Sequence, residues 1–318
     1  MSICRIVPLS VLVAALAACR ATQAGQEPGL ALIASLFGPV VSSEVIRGRA
    51  DEGNRVLLLA GDRALVDIDL AARHARRIPI ALAAGESCWG LGRLDDGSLW
   101  TLKGRTVVSQ IDRAGGIGRD IPLGEPHLNL FAAGAQLIYQ RAAQEPGAPL
   151  LTAGPPGAVV TEPWSGMKAR VFAGFARPQA TALNMVACGA TAGLERPCWF
   201  PDEAAVSLIT TRGDTRRVSL PGLDLVAPEI LLAAENPRPP IRDAFVDARR
   251  RIWILSSGES PPGEAGRPGG WILARYAENG TPDGRVRLQE PARLLLRADE
   301  GRVLVLSGAG HVGEVKSW

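Results

Sequence analysis

The chain has 318 residues, of which 35 are Lys or Arg and 32 are Asp or Glu, giving a formal net charge of +3 at pH 7. Proteins that bind nucleic acid usually carry a basic stripe or a strong positive excess, so this near balance argues against such a partner. The length suits one large domain or two small ones, and all-β folds of this size often form a single domain.

The first 18 residues have the pattern of a secretory signal. The positively charged start is minimal and consists of the amino terminus and Arg5. An apolar run follows from Ile6 to Ala18, interrupted only by Pro8 and Ser10. A stable transmembrane helix needs roughly 20 apolar residues, so this run is too short to span a bilayer. We therefore predict a signal peptide over residues 1–18 that is cleaved on export.

The end of the apolar run, Leu16-Ala17-Ala18-Cys19, resembles the lipobox of bacterial lipoproteins. The resemblance implies cleavage before Cys19, a lipid on its sulfur and a periplasmic protein that contacts the membrane through that lipid. Arg20 differs from the Asp that resembles an inner-membrane retention signal, which favours the outer membrane. The alternative is an ordinary signal cleaved near Ala18, with Cys19 incidental. Residues 19–29 are polar and small, and are predicted to be the lipidated tether of a domain over residues 30–318.

Three cysteines remain in the predicted domain. Cys188 and Cys198 flank a turn-rich stretch, and an exported protein is in a compartment that permits disulfides. A bridge between them would staple a hairpin, but the sequence leaves this pairing and two free thiols as open alternatives. Cys88 is expected to be a buried thiol. The sequence has neither CxxC nor HxxxH spacing, which argues against a zinc site.

A hairpin pattern recurs along the chain. Each copy starts with acidic or turn residues and Gly, and continues as an apolar strand, as in residues 51–58, 95–102 and 299–306, with a fourth copy at 247–255 that lacks the Gly. A second hairpin with period-two alternation follows each copy, so that one unit supplies about four antiparallel strands. This is the size of a propeller blade.

Six such units are predicted, and together they indicate an all-β, six-bladed propeller with four-stranded antiparallel blades. The last unit is incomplete, because the chain after residue 310 suffices for only one further strand. Since an unpaired sheet edge invites aggregation, we expect the N-terminal run over residues 38–46 to close the last blade. The signature strands of the six units are centred near Leu57, Trp100, Ile138, Trp199, Trp253 and Leu304.

The repeated Asp-Gly-x-Leu-Trp-x-Leu strand, followed by an Arg-x-Ile-Pro-Leu type strand, resembles NHL-like, streptogramin-lyase-like and TolB-like six-bladed propellers. The resemblance covers about residues 30–318 and implies an architecture whose members include lactonases, lyases, peptide-binding scaffolds and sensors. The calcium-dependent lactonases carry a Glu, an Asn and an Asp in the central cavity, and no local motif here matches that trio. The resemblance to streptogramin lyases implies a channel His paired with an acid; His127 is the candidate for that His, but no matching motif surrounds it.

Sites in propellers usually lie where the inner strands open onto one face of the channel. The polar residues at the predicted inner-strand starts could form a ligand cup with Arg as an anion clamp. The alternative is that they bond neighbouring loops, with Arg242 and Asp243 merely paired. Trp89, Trp100, Trp199 and Trp253 are predicted to be core residues between sheets. The channel candidates are His127, Asn129, Asn184, Arg242, Asp243 and Arg293.

No GxSxG, P-loop or HExxH motif occurs, so the familiar hydrolase and nucleotide sites are missing from the sequence. The prediction is therefore a lipid-anchored, non-catalytic propeller without a cofactor, which binds a protein, a peptide or another envelope ligand. The alternative is a propeller enzyme, a lactonase or lyase, with a divalent metal such as Ca²⁺ in the central channel.

Overall fold

A computed structural model describes residues 29–142, 145–156, 161–223, 227–233, 239–257, 270–299 and 302–316. The predicted signal peptide and Cys19 lie outside the described residues. Strands dominate the described part, which contains two short helices, α1 (Arg177–Leu183) and α2 (Pro228–Ala233). The strands form six sheets, numbered here in chain order.

Sheets 1 to 3 are four-stranded antiparallel meanders. They follow two N-terminal strands, β1 (Gly29–Ala31) and β2 (Ile33–Phe37). Sheet 1 contains β3 (Ile46–Glu52), β4 (Arg55–Ala60), β5 (Ala64–Asp69) and β6 (His74–Pro79). Sheet 2 contains β7 (Cys88–Arg93), β8 (Leu99–Lys103), β9 (Val107–Ile111) and β10 (Ile117–Pro122). Sheet 3 contains β11 (His127–Ala133), β12 (Gln136–Arg141), β13 (Leu151–Gly154) and β14 (Glu162–Pro163).

Sheets 4 to 6 complete the described architecture. Sheet 4 contains β15 (Ala187–Cys188), β17 (Glu195–Trp199), β18 (Ala205–Thr210) and β19 (Thr215–Ser219), whereas β16 (Ala190–Thr191) belongs to sheet 5. The antiparallel strands of sheet 5 are β20 (Asp243–Val246), β21 (Ile252–Ser257), β22 (Trp271–Tyr276) and β23 (Pro282–Leu288). Sheet 6 contains β24 (Ala292–Asp299), β25 (Arg302–Ser307), β26 (Val312–Val315) and β2.

Five of the six sheets are four-stranded, and sheet 5 departs from the predicted pattern because it has six strands. Two strands pair in parallel at its edges: β16 lies along β20 and β1 lies along β23. The innermost segment of sheet 4 starts beside β17 and then passes to β20. Gly189 permits this crossing, since a Cβ atom there would lie 1.8 Å from the carbonyl oxygen of Ala244.

The predicted position of the N-terminal strand, residues 38–46, is wrong. The strand that pairs antiparallel with β26 in sheet 6 is β2, which ends at Phe37. Gly38 follows with a φ of 132°, and Pro39 has no N–H for a sheet ladder. The N–H groups of Val40 and Val41 both donate to the carbonyl of Gly310 instead, at 2.8 and 3.2 Å. Only the end of the predicted run, from Ile46, is strand, and it opens β3.

The acidic residue that opens the repeat fixes the turn before a Trp-bearing strand. Asp247 Oδ1 accepts from the backbone N–H groups of Arg249 and Arg251, and Oδ2 accepts from Trp253 Nε1 at 3.0 Å. Burial alone would raise the pKa of Asp247, but these hydrogen bonds and the Arg251 guanidinium outweigh it and hold the pKa below its ordinary value. One carboxylate thus caps the turn and orients a fully buried indole.

Six apolar clusters link each sheet to the next, and the last sheet to the first. Leu304 and Leu306 of sheet 6 pack against Leu58 and Val66 of sheet 1, and the other clusters join sheets 1–2, 2–3, 3–4, 4–5 and 5–6 in the same way. A fully buried Leu or Val contributes about 1.5–3 kcal/mol by leaving water. The core therefore lies between the sheets and not at the centre of the molecule.

A disulfide joins Cys188 of β15 to Cys198 of β17, which are directly opposite each other in the ladder. It ties the innermost segment of sheet 4 to the next strand of that sheet. Cys88 is a free, fully buried thiol, and burial raises its pKa to about 11. This thiol is packed within the cluster between sheets 1 and 2.

The crossing at Gly189 gives a direct test of the close approach between sheets 4 and 5. Gly189→Ala places a methyl group where the Ala244 carbonyl lies, so we expect the free energy of unfolding to fall by about 1–3 kcal/mol. Gly124→Ala is the control, because Gly124 is exposed and its Cβ would meet nothing within 4 Å. Urea unfolding of both variants checks this; equal stabilities would contradict the packing described here.

Candidate functional site

The links between consecutive sheets all lie on one face of the molecule. With four antiparallel strands in a sheet, the outermost strand ends at the edge where the innermost strand of the next sheet begins. We call this surface the connection face. Among the described residues it is formed by 38–45, 80–87, 123–126, 164–186, 220–223, 227–233, 239–242 and 289–291.

Four of the seven large apolar side chains that are exposed among the described residues lie on the connection face, whereas Leu30 and Leu32 belong to the N-terminal segment. Val45, Val171, Met185 and Ile230 are 68%, 70%, 43% and 62% exposed, and all four belong to the links between sheets. Leu194, by contrast, is 82% exposed in the turn between β16 and β17, on the opposite face. Apolar side chains held in water at one surface are typical of sites that bind a partner.

The longest fully described link, residues 164–186, is held down by Arg170. Its guanidinium pairs with Asp202 at 2.8 Å and Glu203 at 3.2 Å, and donates to the carbonyl of Leu183. The same group lies 3.9 Å from the centroid of the Phe200 ring. This combination of ion pairs and stacking fixes the link on sheet 4.

Asn184 also holds the link of residues 164–186 in place. The sequence predicted an inner-strand start at residues 181–186, but residues 177–183 form α1, with Pro178 in its first turn and Asn184 at its C-terminal end. Asn184 is buried, and its side-chain amide accepts from the N–H of Arg170 at 2.9 Å and donates to its carbonyl at 3.1 Å. Both polar atoms of this channel candidate are engaged within the link.

His127 and Asn129 lie on β11, as predicted, but each has a local partner. His127 is buried, its Nδ1 lies 3.0 Å from the carbonyl of Glu125, and its ring centroid is 5.2 Å from that of Tyr139. Burial lowers the pKa of His127 below its ordinary value, although Glu125 acts in the opposite direction. Asn129 Oδ1 accepts from the N–H of Leu130 at 2.8 Å.

The two arginine candidates lie at the edge of the connection face. Arg293 donates to the carbonyl of Ser42 at 2.6 Å and to that of Glu44, which fixes the link before sheet 1. Burial lowers the pKa of Arg293 below its ordinary value. Arg242 lies immediately before β20, with its guanidinium 5.6 Å from the ring centroid of Trp271. These two residues therefore serve different sheets.

Asp243 is buried beside an ion pair that the sequence did not indicate. Arg49 of β3 donates to Asp51 at 2.8 and 2.9 Å, and its Nη1 is 3.6 Å from Asp243 Oδ2. The Asp243 oxygens also accept from the N–H groups of Ala244 at 2.9 Å and Leu295 at 2.6 Å. Burial raises the pKa of Asp243 to about 6, although Arg49 and these two N–H groups favour the charged form.

The sequence predicted the position of Trp89 only in part, because its indole packs against the cluster between sheets 2 and 3 without being fully buried. Trp100, Trp199 and Trp253 are buried between sheets as predicted, but Trp89 is only half-buried near the start of β7. Its ring lies between the guanidinium groups of Arg47 and Arg105, whose Cζ atoms are 3.8 and 4.0 Å from the ring centroid. The two arginines are far apart in sequence, so no local motif announces this contact.

Two structural findings bear on a metal site and on a membrane-spanning helix. In the part of the chain that the structure describes, no three His, Cys, Asp or Glu side chains are grouped so as to hold a metal ion. Neither of the described helices is long and apolar enough to cross a membrane. Among the six predicted candidates, Asn184 and Arg293 hold links in place, and Asp243 belongs to a charged cluster with Arg49 and Asp51.

Comparisons with known proteins identify the fold. No protein-family model and no curated protein sequence match this chain. Among solved structures, a luciferin-regenerating enzyme matches with a TM-score of 0.53 and 10% identity, over 90% of this chain and 95% of that chain. The chain is a β-propeller.

Two other solved structures are about as similar to this chain, and their bound molecules differ. An inactive virginiamycin B lyase from Staphylococcus aureus with quinupristin has a TM-score of 0.51 and 10% identity, over 86% of this propeller and 80% of the lyase. YCF48 bound to a D1 peptide has a TM-score of 0.50 and 10% identity, over 89% of this chain and 84% of that chain. At these identities the likeness establishes the architecture alone.

The raised pKa of Asp243 predicts how stability depends on pH. The contribution of Asp243 to the free energy of unfolding is fully present below the unfolded pKa of about 3.9. It is lost as pH rises through the folded pKa of about 6. A change in pKa from about 3.9 to about 6 corresponds to about 3 kcal/mol at 1.36 kcal/mol per pH unit, and most of this is lost between pH 4 and pH 7.5. Asp243→Asn removes this titration, so we expect the stability difference between wild type and variant to shift by that amount. Urea unfolding at several pH values checks this, and a difference independent of pH would contradict it.

Proposed function

We propose that this protein is a lipid-anchored β-propeller of the bacterial envelope, which binds a protein or peptide through its connection face. The observation that carries the proposal is the placement of Val45, Val171, Met185 and Ile230 on that face. Their exposure lowers the stability of the isolated molecule. Burying such a side chain against a partner contributes about 1.5–3 kcal/mol before the costs of association.

The rigidity of the 164–186 link supports the same role. Arg170 and Asn184 anchor its backbone at both ends of the stretch that carries Val171 and α1. A surface that is ordered before binding loses less conformational entropy when a partner docks. The apolar side chains of this link are therefore presented in a fixed arrangement.

Membrane attachment is proposed on the resemblance of Leu16-Ala17-Ala18-Cys19 to a lipobox. A lipid on Cys19 would place the propeller at the membrane, with the outer membrane favoured by Arg20. The propeller fold is compatible with enzymatic and binding roles, since the similar structures include a lyase and a peptide complex. The engagement of His127, Asn184 and Asp243 in local contacts favours the binding role for this chain.

Replacing Cys19 tests the anchor. We expect Cys19→Ser to release the protein from the membrane fraction while the domain stays folded, because the lipid is attached to the Cys19 sulfur. Cys4→Ser is the matched control, since Cys4 belongs to the segment predicted to be removed, and it should stay with the membrane. Cell fractionation with immunoblotting gives the answer, and retention of Cys19→Ser in the membranes would disprove lipid anchoring.

Site-specific photo-crosslinking tests the binding face. A photoreactive amino acid at position 171 should give crosslinked products in living cells, because Val171 lies on the connection face. The same amino acid at position 194 is the control, since Leu194 is at least as exposed and lies on the opposite face. Crosslinked products at position 194 but not at position 171 would place the partner on the face opposite the connection face and contradict the proposal.

A further inference from the structure

Trp89 lies between two positively charged groups at the connection face. The guanidinium carbons of Arg47 and Arg105 are 3.8 and 4.0 Å from the centroid of its indole. One face of an indole has no room for two guanidinium groups at this distance, so the two groups take opposite faces. The two Cζ atoms are then at most about 8 Å apart.

Three sheets fix this arrangement. Arg47 lies near the start of β3, where a register shift between Ile46 and Gly48 turns the strand toward β7. Gly48 allows the contact, because a Cβ atom there would lie 2.5 Å from the N of Leu91. Arg105 occupies the turn between β8 and β9 with a φ of 68°, and its carbonyl accepts from the N–H of His127 on sheet 3 at 2.9 Å.

The two guanidinium groups lack an anionic partner within the described residues. Neither lies within 4.0 Å of a described carboxylate, and Arg47 Nη1 is buried without a hydrogen-bond partner among the described atoms. Nearby cations are satisfied: Arg141 pairs with Glu125, and Lys103 pairs with Glu86 and Asp120. The positive charges of Arg47 and Arg105 are therefore not neutralised by a described carboxylate, which makes an incoming anion favourable at the accessible parts of the two groups.

Repulsion between the two charges adds to this. At a separation of about 8 Å, two like charges in a partly buried site repel each other. The stacked indole covers the flat faces of both guanidinium groups and leaves their N–H edges for hydrogen bonds. These edges fit planar, two-oxygen acceptors.

We propose that Arg47, Trp89 and Arg105 form a recognition site for a carboxylate of a peptide ligand. The inference rests on the proposed binding role of the connection face and names the chemistry that this face selects. A phosphate could use the same N–H groups. The planar guanidinium fork matches the two oxygens of a carboxylate, so the proposal commits to a carboxylate, and binding of inorganic phosphate is one outcome of the test.

The test measures binding of two matched peptides to the full-length protein in detergent by isothermal titration calorimetry. Hexaglutamate should bind, and hexaglutamine, which has the same length without the charges, should bind at least tenfold more weakly. Arg47→Ala and Arg105→Ala should each weaken hexaglutamate binding about tenfold or more. Arg47→Lys keeps the charge but loses the planar fork, so an intermediate loss is expected.

Arg119→Ala is the matched control, because it removes an exposed arginine of β10 on the same sheet and should change the affinity less than twofold. Near-ultraviolet circular dichroism verifies that each variant is folded. Equal affinity for both peptides, unchanged affinity in the Arg47 and Arg105 variants, or binding of inorganic phosphate in place of hexaglutamate would overturn the carboxylate assignment. Crosslinks at position 171 would still be found in that case, so this failure is distinct from that of the proposed function.

Discussion

The backbones of neighbouring innermost strands touch near the centre of the propeller, and the rest of the molecule depends on this contact. Cβ atoms at Gly48, Gly90 and Gly189 would lie within 2.5 Å of the backbone of the next sheet. Glycine therefore sets how closely the sheets approach. Side chains that point to the centre have little room, and three charged ones there, Arg49, Asp51 and Asp243, contact one another.

This constraint separates stability from recognition. Charged groups at the centre pair with one another, because a buried charge without a partner is strongly unfavourable. The apolar clusters occupy the space between sheets, where Trp253 and its neighbours are fully buried. The connection face is required neither to pair the central charges nor to form the apolar clusters, since its links only have to join consecutive sheets. It is there that side chains such as Val171 remain exposed on a link whose backbone is fixed.

The sequence predicted the propeller because its signals are local. Turn residues followed by alternating strands mark each hairpin, and Asp247 shows why the first acidic residue matters: it caps the turn and holds Trp253. Failures came from contacts between distant segments. Residues 38–46 are rich in β-branched side chains, yet Val40 and Val41 donate to the distant carbonyl of Gly310 and do not join a sheet ladder. The two extra strands of sheet 5 depend on parallel pairing across sheets, and the position of Asn184 depends on Arg170.

Trp89 shows how a functional residue can share the pattern of the core. Its position in the repeat resembles that of the buried tryptophans, but its ring faces are covered by arginines instead of apolar side chains. A cation–π contact at an exposed site contributes about 0.5–1 kcal/mol, less than full burial of a large apolar side chain. The arrangement thus gives up packing energy and keeps two like charges close together. Local departures of this kind from the most stable solution are typical of functional sites, since a ligand of opposite charge restores what the isolated protein lacks.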